Sequence, residues 1–147
     1  MIKPSFSILL ADDDADDCLF FEDALNDLNI PASLGMVNDG EQLMHLLSAN
    51  KKPLPDIIFL DINMPRKTGS ECLLEIRAND KLKELPVVVY STSLDNRMAD
   101  LLYENGANYY IQKAGDFETL KKSILATLTI ASKDGLKQPD KNKFVIR

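Results

Sequence analysis

Four polar clusters stand where apolar runs stop. Asp61 closes Ile57-Ile58-Phe59-Leu60, and Asp12 and Asp13 follow the run from Phe6 to Ala11. Ser91 and Thr92 follow Val87-Val88-Val89-Tyr90, and Lys113 follows Tyr109-Tyr110-Ile111-Gln112. If these runs are neighbouring strands, their ends line one crevice, because ligands of open α/β sheets bind beyond the carboxyl ends of the strands. Three carboxylates there supply hard oxygen ligands suited to Mg²⁺, which keeps its other positions for water or phosphate oxygens. A carboxylate such as Asp61 can attack phosphorus and become an acyl phosphate once the incoming charge is neutralised. The cation and Lys113 would neutralise it, while the Ser91 hydroxyl and the backbone N–H of Thr92 would donate to phosphoryl oxygens. Each group has a plainer use when taken alone. Residues Asp12-Asp13-Asp14-Ala15-Asp16-Asp17 suit an acidic helix start, Ser91 a turn cap, and Lys113 an ordinary surface position. Their coincidence at four strand ends favours a shared site.

The elements that must position these groups follow from periodicity. Phe6–Ala11, Ala32–Val37, Ile57–Leu60, Val87–Tyr90 and Tyr109–Gln112 read as five strands, each followed by a helix-length segment. Crossovers of that length and strands apolar throughout predict an α/β fold, a parallel sheet with helices on both faces. In the first helix Phe20, Phe21, Ala24 and Leu28 share a face and Leu19 points nearly opposite. The second is expected to begin at Asp39-Gly40 and to bury Leu43, Leu46 and Leu47, and the third to bury Leu73, Leu74 and Ile76. The fourth carries Met98, Leu101 and Leu102 and stops at Asn105-Gly106, a pair suited to a left-handed cap. The fifth starts near Asp116 with Phe117, Leu120, Ile124 and Leu128 at helical spacing. One domain over residues 1–132 is expected, with 133–147 as a short tail and no output domain. That tail is basic and ends in Phe144-Val145-Ile146, which is predicted to pack against the body.

Composition narrows the function classes. The 147 residues suffice for one hydrophobic core, and a net charge of -6 argues against non-specific nucleic-acid binding. Neither a basic-then-apolar leader nor a bilayer-length apolar run is present, so no membrane association and a cytoplasmic location are expected. Cys18 and Cys72 read as two reduced, partly buried thiols. His45 lies off the apolar stripe of its helix and carries no phosphotransfer role.

From Ser7 to Leu128 the chain resembles the response-regulator receiver domains of two-component signalling. The resemblance implies a flavodoxin-like, doubly wound, five-stranded sheet of order 2-1-3-4-5, and phosphorylation on aspartate by a sensor histidine kinase with Mg²⁺ as cofactor. Position by position, it implies that Asp61 is the phosphoacceptor and that Asp12, Asp13, Asp61 and the backbone carbonyl of Asn63 hold the metal. Lys113, Ser91 and Thr92 would stabilise the phosphoryl group, and Tyr110 would be the switch aromatic. Phosphorylation would then draw Ser91 in and let Tyr110 turn inward, remodelling a face made by the fourth helix, fifth strand and fifth helix. That face is also a candidate homodimer surface, and the output would be contact with a downstream protein. The alternative for Tyr110 is a static, half-buried tyrosine. One departure is that Ala114 follows Lys113 where the family usually has proline. This substitution, the Ser48–Pro55 connection and the Leu85-Pro86-Val87-Val88-Val89 context resemble the single-domain regulators that accompany bacterial phytochromes, which implies a phytochrome-type kinase.

Two other readings compete. A haloacid-dehalogenase-type phosphatase also forms an aspartyl phosphate, but its general acid is a second aspartate two residues after the nucleophile. Asn63 occupies that position and has no titratable proton to donate, so turnover of phosphate esters is not expected and the protein is read as a non-enzyme. A receiver-like interaction module that is never phosphorylated is the other reading. Nucleotide binding lacks a Gly-rich phosphate loop after the first strand.

Overall fold

The computed structural model describes residues 5–49, 53–92, 95–113, 115–134 and 137–146. Strands β1 (Phe6–Ala11), β2 (Ala32–Val37), β3 (Ile57–Leu60), β4 (Val87–Ser91), β5 (Tyr109–Gln112) and β6 (Val145–Ile146) alternate with helices α1 (Ala15–Asp27), α2 (Gly40–Ser48), α3 (Gly69–Ala78), α4 (Asn96–Glu104) and α5 (Phe117–Asp134). The strands form one parallel sheet in the order β2-β1-β3-β4-β5-β6. The flavodoxin-like arrangement is therefore as expected, with a sixth strand added.

Burial on both faces explains the unbroken apolar character of β3 and β4, every residue of which is buried. Leu9, Ile58, Val87 and Val89 face a core shared with α2, α3 and α4. Ile8, Leu10, Ile57, Phe59 and Tyr90 face a second core shared with α1 and α5. Each helix start is capped by a side chain. Asp14 caps α1, Asp39 caps α2 and Asp95 caps α4, and at α3 Thr68 and Glu71 form a reciprocal capping box. The fourth helix ends at Asn105 with Gly106 at φ 98°, the left-handed residue that a Cβ would disfavour.

Three leucines expected in the core are exposed: Leu46, Leu74 and Leu101. Each adjoins a truly buried neighbour, Leu47, Leu73 or Leu102, and so lies about 100° round the helix from the buried stripe. Ser91 belongs to β4 rather than following it, and α5 runs on to Asp134, two residues past the expected boundary at 132.

The C-terminal segment is a structural part of the sheet. Strand β6 pairs with β5, Tyr110 opposite Val145 and Ile111 opposite Ile146, and the Tyr110 N–H donates to the Phe144 carbonyl at 3.0 Å. Phe144 is 2% exposed and stands edge-on to Tyr103 at 5.3 Å and Tyr110 at 6.3 Å. Polar contacts hold the approach: the Tyr103 hydroxyl donates to the Pro139 carbonyl at 2.6 Å, and the Gln138 amide donates to the carbonyls of Tyr103 and Ala107. Lys141 pairs with Asp100 at 3.2 Å. The expected packing of the apolar end is therefore present, as an added strand.

One glycine fixes the approach of α3 to the strand-end crevice. The Gly69 N–H donates to the Ile62 carbonyl at 2.8 Å, and a Cβ on Gly69 would lie 2.1 Å from the Asp61 carbonyl oxygen and 2.8 Å from the Ile62 Cα. Because the obstructing atoms are backbone, Gly69→Ala must displace either α3 or the residues that carry Asp61. An expected loss of about 1–3 kcal/mol of stability follows, read by denaturant unfolding; an unchanged midpoint would contradict so close an approach.

Candidate functional site

The backbone ladder brings the four clusters together. The Asp61 N–H donates to the Ala11 carbonyl at 2.9 Å, the Asp12 N–H to Val37, and the Lys113 N–H to Ser91 at 2.7 Å. These bonds extend the parallel register past the strand ends, so Asp12, Asp61, Ser91 and Lys113 share one rim. One carboxylate oxygen from each of Asp12, Asp13 and Asp61 lies within 4.8 Å of the others. Asp12 and Asp61 are buried, at 0% and 5% exposure, whereas Asp13 is exposed.

Lys113 stands over this group. Its Nζ lies 2.7 Å from Asp12 Oδ2, 2.9 Å from Asp17 Oδ2 and 3.3 Å from Asp61 Oδ2, and its side chain is nearly buried. The ammonium also sits 5.2 Å above the centre of the Tyr90 ring, whose face attracts a cation. Burial pulls the lysine pKa down, but the hydrogen bonds of Asp12 and Asp17 and the charges of Asp12 and Asp61 outweigh it, so the net shift is upward and the ammonium stays charged. Asp12 goes the other way from an ordinary carboxyl: burial pushes it up to about 6, against the downward pull of Lys113 and the Asp14 N–H. Burial likewise raises the thiols of Cys18 and Cys72 to about 11, which leaves both protonated and unreactive.

The remaining expected residues are placed as follows. The Asn63 N–H donates to Asp61 Oδ1 at 3.3 Å, so the residue after the β3 turn orients the central carboxylate. Ser91 is buried at the end of β4, and the exposed Thr92 offers its carbonyl to the Gln112 amide at 3.2 Å. Tyr110 is fully buried, so the alternative of a half-buried tyrosine does not hold, and Phe144 stands edge-on to its ring. Burial raises its hydroxyl pKa, and the Ser91 hydroxyl opposes that rise. The Lys113–Ala114 peptide lies outside the described residues. Asp17 is the site member that sequence reasoning missed. Its signal was present in the acidic run, but nothing in a linear sequence singles out which member of that run meets a lysine 96 residues away.

The model for the response regulator receiver domain matches residues 8–125. The chain belongs to the response regulator receiver domains. Among the relatives of this receiver domain, response regulator Rcp1 of Synechocystis sp. (strain ATCC 27184 / PCC 6803 / Kazusa) is 34% identical over 126 residues, which cover 83% of this chain and 86% of Rcp1. The Mn²⁺-bound crystal structure of Rcp1 superposes with a TM-score of 0.76 at 31% identity, covering 91% of this chain and 99% of that one. The phosphorylated cyanobacterial phytochrome response regulator RcpA superposes with a TM-score of 0.77 at 31% identity, covering 92% and 99%. Receiver domains are signalling parts of two-component systems, and the acidic cluster of this one has the oxygen donors that Mg²⁺ takes.

Proposed function

We propose that this receiver domain takes a phosphoryl group from a phosphohistidine of a sensor kinase onto Asp61, and that it signals by protein contact. The observation that carries the reading is the convergence of three carboxylates within 4.8 Å beneath a lysine whose Nζ is 3.3 Å from Asp61. In the transfer, an Asp61 carboxylate oxygen forms a bond to phosphorus while the phosphorus–nitrogen bond of the phosphohistidine breaks. The departing imidazole nitrogen keeps that electron pair. Asp12, Asp13, Asp61 and the Asn63 carbonyl would hold Mg²⁺, whose charge offsets that of the phosphoryl oxygens. Lys113 supplies a second positive charge, Ser91 a hydroxyl donor and Thr92 a backbone donor. The Mn²⁺-bound form of Rcp1 and the phosphorylated form of RcpA, two similar response regulators, support a reading that combines a divalent cation with phosphorylation. Kinship with RcpA and with a bacteriophytochrome response regulator favours a phytochrome-type kinase as the donor. Incubation with a small phosphodonor and Mg²⁺, with intact mass of wild type and Asp61→Asn compared, tests the reading.

Metal binding carries a pH signature. Asp12 has a pKa raised from 3.8 to about 6, so the folded protein holds that proton more tightly than the unfolded chain does. Its contribution to stability is therefore fully present below 3.8 and is lost as pH rises through about 6. Mg²⁺ needs the ionised carboxylate, so affinity falls as pH drops through about 6. Calorimetric titration on either side of that value is expected to show weakening that approaches about tenfold per pH unit below it. A flat profile would exclude Asp12 as a ligand.

Leu19 offers a contact for the kinase. It is 56% exposed on α1, and with Asp12, Asp13, Cys18, Met36 and Val37 it lines a groove of about 350 Å³ beside the acidic cluster. Leu19→Ala is expected to slow phosphotransfer from the cognate kinase while leaving uptake from a small donor unchanged, because an exposed side chain contributes little to the fold. Equal transfer rates in the two proteins would remove Leu19 from the docking face. The face of α4, β5 and α5 carries β6 as well, so a homodimer formed there must either include the tail or displace it.

A further inference from the structure

The acidic residue three positions into a helix often reaches back to the N–H of its capping residue, as Glu71 does for Thr68 at the start of α3. At the start of α1 the equivalent residue, Asp17, does not. Asp14 caps the helix by accepting from the N–H groups of Asp16 and Asp17, but the Asp14 N–H itself donates to Asp12 Oδ1 at 3.0 Å. Asp12 has taken the donor that Asp17 would otherwise bind, and the Asp17 carboxylate turns instead to Lys113 at 2.9 Å. Asp17 is thus tied to the site through Lys113, and it is not one of the three carboxylates that cluster for a metal.

Lys113 needs such a tether. It follows the end of β5 at Gln112, and the residue after it is alanine, which does not restrict φ as proline would. A lysine side chain has four rotatable carbon–carbon bonds, and its charge is useful only where the arriving group will be. Asp17 offers a fixed anchor, because the capped first turn of α1 holds its backbone.

We propose that Asp17 is a positioning residue for phosphoryl uptake: it fixes the Lys113 ammonium where that charge meets a phosphoryl group arriving on Asp61. The inference rests on the phosphoacceptor reading of Asp61. The test measures the rate of Asp61 phosphorylation by a small phosphodonor in wild type, Asp17→Ala, Asp17→Glu, Lys113→Ala and the Asp17→Ala/Lys113→Ala double variant. Asp16→Ala serves as a control that removes the same charge from the same helical turn without touching Lys113.

Asp17→Ala is expected to slow uptake roughly tenfold, Asp17→Glu to restore part of it, and Asp16→Ala to leave it near wild type. In the Lys113→Ala background, Asp17→Ala should add nothing, a non-additivity that loss of helix stability alone does not produce. A second readout needs no phosphodonor: the Lys113 ammonium proton resonance, slow to exchange in wild type, should broaden in Asp17→Ala and stay sharp in Asp16→Ala. Wild-type uptake with an unchanged or faster rate in Asp17→Ala overturns the positioning role alone. An equal further loss in the double variant overturns it as well. No Asp61-dependent uptake by the wild type overturns the phosphoacceptor reading and this inference with it.

Discussion

Asp61→Asn is expected to abolish the gain of one phosphoryl mass that the wild type shows after incubation with a small phosphodonor and Mg²⁺. The amide keeps the shape of the side chain and can still accept from the Asn63 N–H, the bond that orients Asp61 Oδ1 at 3.3 Å. It lacks the anionic oxygen that must bond to phosphorus, so the loss should be complete within detection rather than graded. The fold should survive, because the substitution removes one negative charge from a group of carboxylates packed within 4.8 Å. Circular dichroism on the same samples checks that point. Mg²⁺ affinity should fall too, since one of three charged ligands becomes neutral. An undiminished mass gain in Asp61→Asn would place the phosphoryl group on another residue, and the acidic cluster would then need a different use.

The second large effect is expected from Phe144→Ala. Removing a fully packed phenylalanine commonly costs about 3–5 kcal/mol. Here the loss falls on the docking of the tail, which can open without unfolding the other five strands. Three kcal/mol is roughly two powers of ten in the docked population. Hydrogen exchange at the Tyr110 amide reports it directly, because that N–H donates to the Phe144 carbonyl. Near-UV circular dichroism reports it independently: the chain has four tyrosines and no tryptophan, and Tyr103 and Tyr110 both pack on Phe144. Protection at Tyr110 equal to wild type would show that the strand holds without its aromatic anchor. Tyr110 is fully buried with Phe144 edge-on to its ring, so loosening the tail is expected to expose that ring as well.

The sheet and its crevice were legible in the chain for a simple reason. Strands buried on both faces must be apolar throughout, so the polar residue that ends each run marks the rim, and Asp12, Asp61, Ser91 and Lys113 were each found that way. Helix stripes were less exact. Leu46, Leu74 and Leu101 are hydrophobic but lie one step round the helix from the buried line, and composition cannot separate a side chain at the core's edge from one within it. The sixth strand escaped because two residues, Val145 and Ile146, carry no periodicity.

The chain's own order of residues thus determined the parallel α/β architecture, the four strand ends and the types of chemistry available there. Only the tertiary structure decided which acid meets Lys113 and what covers Tyr110. Both depend on contacts between segments far apart in sequence: Asp17 reaches Lys113 because Asp12 has already taken the Asp14 N–H, and Phe144 reaches Tyr110 because the chain returns along the edge of β5. Such pairings are set by packing and by which hydrogen-bond partners remain free, and a linear pattern contains neither.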